Sequence, residues 1–130
     1  MVKVDIVRAI QLETGLQFGE AEQLVNELLE IMKQTLENGE DVLITGAGPI
    51  GLMCVAICKY SGAKNIVITD INDYRLAIAK ELGASKAINI KNDSIDNHLE
   101  KLGIEYGFDV GLEVSGNPTA FNSMLTNMYH

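Results

Sequence analysis

A short apolar run that ends in a tight cluster of glycines constrains this chain more than any other stretch. Residues 42–51 read Val-Leu-Ile-Thr-Gly-Ala-Gly-Pro-Ile-Gly, a strand, a tight turn and the opening of a helix, with Pro49 suited to the first helical turn. Gly46, Gly48 and Gly51 keep the G-x-G-x-x-G spacing. The three serve in turn a tight reversal, close approach of backbone to a phosphate, and close packing of helix on strand. The helix N-terminus then offers unpaired N–H groups and partial positive charge to an anion, here a pyrophosphate.

The flanks on the two sides differ. Residues 3–13 and 20–38 read as two helices joined at Gly15, whose freedom suits a left-handed C-cap. In the second helix Ala21, Leu24, Val25, Leu28, Leu29, Met32 and Leu36 recur at spacings of three and four and form one apolar stripe. The glutamates between them lie largely off that stripe, as a solvated face does, and Asn38-Gly39 marks the helix end. Beyond residue 41 strands alternate with helices. Strands are expected at 41–45, 65–69, 86–90 and 108–114, and helices at 49–60, 73–82, 94–102 and 118–128. That pattern predicts an α/β fold, a Rossmann-like parallel sheet of about four strands covered by helices and joined by right-handed crossovers, preceded by an α-helical hairpin. With 130 residues, residues 1–41 as hairpin and 42–130 as a partial Rossmann domain are expected to form one composite unit.

Composition narrows the function classes. A 47% hydrophobic, 22% charged chain is globular, and its longest apolar run, broken by Lys59, is too short to span a bilayer. The N-terminus lacks a signal-peptide pattern. The net charge is −8, and residues 1–41 set Lys3, Arg8 and Lys33 against nine acidic groups, which opposes nucleic-acid binding. Cys54 and Cys58 lie four apart on an apolar helix without further metal ligands nearby and read as core packing. Without a disulfide framework, a reducing cytoplasm is the expected setting.

Asp70 closes the second strand 19 residues beyond Gly51, where a carboxylate accepts hydrogen bonds from an adenosine ribose and repels a 2'-phosphate, favouring NAD over NADP. The alternative is a cap for the following helix. Arg75 either flanks the adenosine or is an ordinary exposed helix residue. Ser115-Gly116-Asn117-Pro118 lies at the carboxyl edge of the sheet, as a cofactor contact or as a plain turn. Glu113 just before it is either a site residue or an edge residue facing water. His98 and His130 assemble no catalytic or metal constellation and read as ordinary surface residues.

The segments at 39–53, 68–76 and 107–116 resemble the threonine and alcohol dehydrogenase branch of the zinc-dependent medium-chain dehydrogenases, over about residues 39–130. Position by position, the resemblance implies Gly46, Gly48, Pro49 and Ile50 at the pyrophosphate, Asp70 and Arg75 at the ribose, Ser115 and Gly116 at later cofactor contacts, and NAD as the cofactor, with Gly51 completing the glycine motif of that site. Residues 2–44 resemble the integration host factor branch of the HU family, through 5–16, 20–25 and 32–44. That family bends DNA with long β arms that carry an intercalating proline, and the resemblance ends before them. Both families accommodate Gly-Glu-Asp-Val-Leu-Ile at residues 39–44, so the pattern is that of a chimera joined inside a shared helix-turn-strand. Its second helix is expected to lay its stripe on the sheet. The zinc ligands and catalytic domain of the first family find no counterpart, so cofactor binding without turnover, with no catalytic or metal residue, is the expected function. The alternatives are an assembly-only chimera without ligand and an HU-like DNA binder. An open edge at the fourth strand makes self-association into a homodimer or higher oligomer the expected remedy, either by joining sheet edges or, as the resemblance to the HU family implies, by pairing the N-terminal hairpins.

Overall fold

The computed structural model describes residues 3–36 and 39–129. In chain order the elements are α1 (Lys3–Thr14), α2 (Phe18–Leu36), β1 (Asp41–Thr45), α3 (Pro49–Tyr60), β2 (Asn65–Asp70), α4 (Asp73–Leu82), β3 (Lys86–Asn89), α5 (Asp96–Leu102), β4 (Val110–Glu113) and α6 (Pro118–Thr126). The expected helix stop at Asn38 and the residue His130 lie outside the described residues. Gly15 takes the left-handed conformation expected of it, with φ of 71°, and donates its N–H to the Gln11 carbonyl.

All four strands are parallel, in the order β3-β2-β1-β4. Alternate residues of each central strand serve opposite faces. Val42, Ile44, Ile66 and Ile68 point into one core with Cys54, Val55 and Cys58 of α3 and Leu76 and Ala79 of α4. Leu43, Val67 and Ile88 point into the other, with Ile95, Ile104, Phe108 and Met124. A fully buried side chain of the size of Leu43 or Ile44 contributes about 1.5–3 kcal/mol. The chain winds from β1 outward through β2 to β3, then returns to the far side of β1 as β4. Both faces are thereby covered, and the sheet has a switch point between β1 and β4.

Several boundaries are tighter than expected. β3 ends at Asn89 because its carbonyl accepts from Asn92 and Asp93 and its side chain accepts from Lys91, which folds the chain into a turn. Helix α5 starts at Asp96, since the Ser94 N–H is held by the Asp93 carboxylate. Phe108 lies outside β4 and pairs with the chain end instead: its N–H donates to the Asn127 carbonyl and its carbonyl accepts from Tyr129. Helix α6 stops at Thr126, where Asn127 turns its amide onto the Ser123 carbonyl.

The hairpin has a small core of its own, Val7, Ala21 and Val25. Both of its helices dock on α3, and Met32 enters the α3 side of the main core. The expected packing of the α2 stripe on the sheet is therefore corrected: α3 already occupies that face, so α2 meets a narrow helix. A helix covers a narrower strip of its neighbour than a sheet does, and Leu24 and Leu28 remain exposed.

Burial pushes the Cys54 thiol up to about 11 and the Cys58 thiol up to about 12. The folded chain thus keeps these protons to higher pH than the unfolded one, where a thiol titrates near about 8.5. Stability from the two thiols is complete below that value and declines as pH rises toward 11–12. Urea midpoints are expected to fall between about pH 8 and pH 10, and the fall is expected to flatten in a Cys54→Ala/Cys58→Ala variant.

Candidate functional site

The turn after β1 is fixed from three sides. Gly46 has φ of 103°, which L side chains avoid, and its N–H donates to the Thr69 carbonyl at 2.8 Å. A Cβ on Gly46 would lie 2.9 Å from the Ser115 backbone. A Cβ on Gly51 would collide with the Gly46 carbonyl oxygen and come within 3.3 Å of Val114. Gly48 is different. Its φ of −69° is open to any residue, and a Cβ there meets nothing within 4 Å. The first and third glycines are demanded by packing, whereas the second leaves a space that an approaching group can use.

Gly48 is also the N-cap of α3, and it brings no side chain to the first-turn N–H groups. Helices α4 and α6 are capped by asparagine: Asn72 accepts from Arg75, and Asn117 accepts from Thr119 and Ala120. Helix α3 alone of these three has no side-chain cap on its first-turn donors. With Pro at the start of the first turn, the donors that remain belong to the residues just beyond it.

The C-terminal ends of the strands enclose a cavity of about 810 Å³ above this turn. Gly46, Gly48, Asp70, Arg75 and Ser115 line it together. The other predicted residues do not: Pro49, Ile50, Gly51 and Gly116 are absent from the lining. Gly51 lies under the turn against Gly46, and the Gly116 N–H is turned to Glu113.

Asp70 is not the cap of α4, since Asn72 takes that position. One of its carboxylate oxygens accepts from the Ala47 N–H at 2.6 Å, inside the glycine turn, and the other accepts from Ile71 and Asn72 at 2.7 and 2.9 Å. A carboxylate offers about four acceptor positions, so roughly one stays open toward the cavity. Asp70 ties β2 to the turn and keeps limited capacity for a hydroxyl.

Glu113 folds back over its own loop. It accepts from the Ser115 hydroxyl and N–H, from the Gly116 N–H at 3.2 Å and from the Thr45 hydroxyl at 3.4 Å. These bonds, the Ser115 hydroxyl first, hold its carboxyl below the usual range. The Ser115 oxygen in turn accepts from Asn117. Ser115 is thus a wall of the cavity whose hydroxyl is already engaged.

The structure adds lining residues that motif reading missed: Ile71 after β2, Ile90, Ser94 and Ile95 after β3, and Thr119 and Ser123 on α6. The rule that ligands in open α/β sheets lie beyond the carboxyl ends of the strands applies to β3 as much as to β1, and it is the signal that points to them. His98 is also corrected, because it is neither alone nor fully exposed. Its Nε2 lies 2.7 Å from the Asp93 carboxylate, and bonds from Asn97, His98 and Ser94 hold that carboxyl well below the usual range. Asp93 stands at the cavity rim and is shared with a smaller recess of about 450 Å³ between α4 and β3.

Residues 49–130 match the family model for zinc-binding dehydrogenases. The chain belongs to that family. Residues 1–52 match the model for bacterial DNA-binding proteins, so the chain is a chimera of the two. L-threonine 3-dehydrogenase of Aliivibrio fischeri (strain ATCC 700601 / ES114) is 60% identical over 92 residues, which are 71% of this chain and 27% of that relative. The chain therefore spans about a quarter of the length of the curated relatives it matches. Among solved structures, L-idonate 5-dehydrogenase from Escherichia coli superposes with a TM-score of 0.65 at 37% identity, covering 77% of this chain and 28% of that one. An alcohol dehydrogenase from E. coli CFT073, complexed with its cofactor NADH, superposes at 0.60 with 28% identity, covering 78% and 32%.

The glycine geometry gives a direct contrast. Gly51→Ala is expected to lose about 1–3 kcal/mol or more through overpacking against backbone, whereas Gly48→Ala is expected to lose less than about 1 kcal/mol, the cost of Ala in place of Gly at a helix N-cap. Chemical denaturation of the two variants checks this.

Proposed function

We propose that this chain binds NAD(H) in the cavity over the glycine turn, as the dinucleotide-binding part of a zinc-type dehydrogenase, without turnover of its own. The observation that carries the reading is the uncapped N-terminus of α3 opening beside the space at Gly48. Backbone N–H groups and the helix dipole there suit a pyrophosphate. The remaining acceptor capacity of Asp70 suits a ribose hydroxyl, and its charge opposes a 2'-phosphate. Ile71, Ile90 and Ile95 supply apolar wall farther along the cavity, consistent with a mostly apolar pocket carrying a few polar anchors.

The reading is supported further by the family match and by the relative that carries NADH. Zinc fits less well. Among the described residues no group of three or more His, Cys, Asp or Glu could hold a metal ion. When bound, a nicotinamide would supply a hydride-transfer centre; the residues lining the cavity bind and orient. The hairpin segment carries a net charge of −6 over residues 1–41, which gives no support to a DNA-binding role.

Titration into NADH, followed by fluorescence, is expected to saturate with a Kd below about 1 mM. Asp70→Asn is expected to weaken NADH by about tenfold, since bonds to a charged acceptor contribute about 1.5–3 kcal/mol. The same change is expected to improve the ratio of NADPH to NADH binding. Absence of saturation, or an equal loss for both cofactors, would contradict the assignment of Asp70 to the ribose.

A further inference from the structure

Strand β3 is an outer strand of the sheet, so one side of its backbone meets no other strand. The Ile90 N–H donates to the Asp70 carbonyl of β2, and in a parallel pair alternate residues turn their peptide groups to opposite sides. Ala87 and Asn89 therefore direct theirs away from β2. The Asn89 carbonyl is taken up by the Asn92 and Asp93 N–H groups, which leaves the Ala87 N–H and C=O and the Asn89 N–H at the open edge. Such a row of backbone groups is a template for a further strand.

Beside this edge lies the recess of about 450 Å³ between α4 and β3. Asp73, Leu76, Ala77 and Lys80 form its helical wall, at the i, i+3, i+4 and i+7 positions of one helix face. The two ends of the recess differ in charge. Asp73 stands at the Asn89 end, where its carboxylate accepts from the Asn89 amide at 2.7 Å, and Asp93 stands there with it. Lys80 and Lys86 stand at the other end. The ion pairs among the described residues are Lys3–Glu22 and His98–Asp93, so neither of these lysines has an acidic partner.

We propose that this recess takes an extended peptide segment that adds to β3 as an antiparallel strand, with a basic residue at its amino end and an acidic one at its carboxyl end. Main-chain bonds to Ala87 and Asn89 supply the pairing, as in other strand additions, and antiparallel pairs are the stabler kind. In that direction the acidic end of the segment reaches Lys80 and Lys86, while its basic end reaches Asp73 and Asp93. Leu76 and Ala77 give an apolar wall between them. Lysine at a sheet edge discourages indiscriminate pairing; here the two lysines make an acidic end the condition of entry. The four residues of β3 span about 13 Å, which matches a segment of four or so residues. A free segment enters without other elements, whereas a second copy would bring its own α4 and its own turn after β3 into the same space. This inference is independent of the cofactor site.

The test follows amide chemical shifts of the full chain during titration with two synthetic peptides, Lys-Val-Thr-Val-Glu and its reverse, Glu-Val-Thr-Val-Lys. Both are acetylated and amidated, so that neither carries terminal charge. The first is expected to move the Ala87 and Asn89 amide signals saturably and to bind about fivefold tighter than the second. Lys80→Glu/Lys86→Glu is expected to weaken the first peptide about tenfold, and Lys80→Glu alone, at an exposed helix position, about threefold. Circular dichroism verifies that both variants fold. Absence of saturable change at those two amides would overturn the proposal, as would equal binding of the two peptides or unchanged binding by the lysine variants. Movement of the same amides with protein concentration alone would also overturn it, by assigning the edge to a second copy.

Discussion

Much of this molecule depends on how closely the backbone approaches itself at Gly46. There the carbonyl lies under Gly51 of α3, the Cα lies against Ser115 beyond β4, and the N–H donates to Thr69 of β2. One residue therefore brings together the ends of three strands and the start of a helix. No side chain fits at Gly46 or Gly51, and a positive φ is required at Gly46. The sheet order places this meeting point at the switch between β1 and β4, where a crevice is left between loops that diverge to opposite faces. The cavity follows from that topology, and the space beside Gly48 is the part of the turn that packing does not consume.

Two carboxylates stabilise this arrangement from either side. Asp70 reaches across to the Ala47 N–H and holds the turn to β2, while Glu113 gathers the Ser115 and Gly116 N–H groups and holds the opposite loop. Each uses charge-assisted bonds to backbone donors, which are stronger than neutral ones. Asp70 therefore combines a structural and a ligand-facing role in one side chain, whereas Glu113 is spent on its own loop.

The strands, the glycine turn and the α4 helix were legible in the sequence because local pattern and tertiary environment agree there: apolar runs of strand length, buried on both faces, between strong turn residues. The element ends were less legible. Asn89, Asp93 and Asn127 terminate or delay elements through side-chain bonds to nearby backbone and side-chain groups, and such competition depends on a geometry that periodicity does not carry. The α2 stripe is legible as apolar, but its burial depends on the shape of what it meets. Met32 reaches the α3 side of the main core, Ala21 and Val25 are buried with Val7 between the two hairpin helices, and Leu24 and Leu28 stay exposed. In the site, Gly46, Gly48, Asp70, Arg75 and Ser115 line one cavity. The walls contributed after β3 and by α6 come from loops without a motif and required the fold.

The helical hairpin meets the α/β part of the chain at α3. Met32 enters the core beside Cys54 and Cys58, while Val7, Ala21 and Val25 retain a small core of the hairpin's own. The functional reading turns on a pyrophosphate lying over Gly48 at the start of α3. Amide chemical shifts during an NAD⁺ titration report on that contact residue by residue. The largest saturable changes are expected at Ala47, Gly48, Ile50 and Gly51, with smaller ones near Asp70. Changes confined to the recess between α4 and β3, or none over the glycine turn at saturating NAD⁺, would rule the contact out.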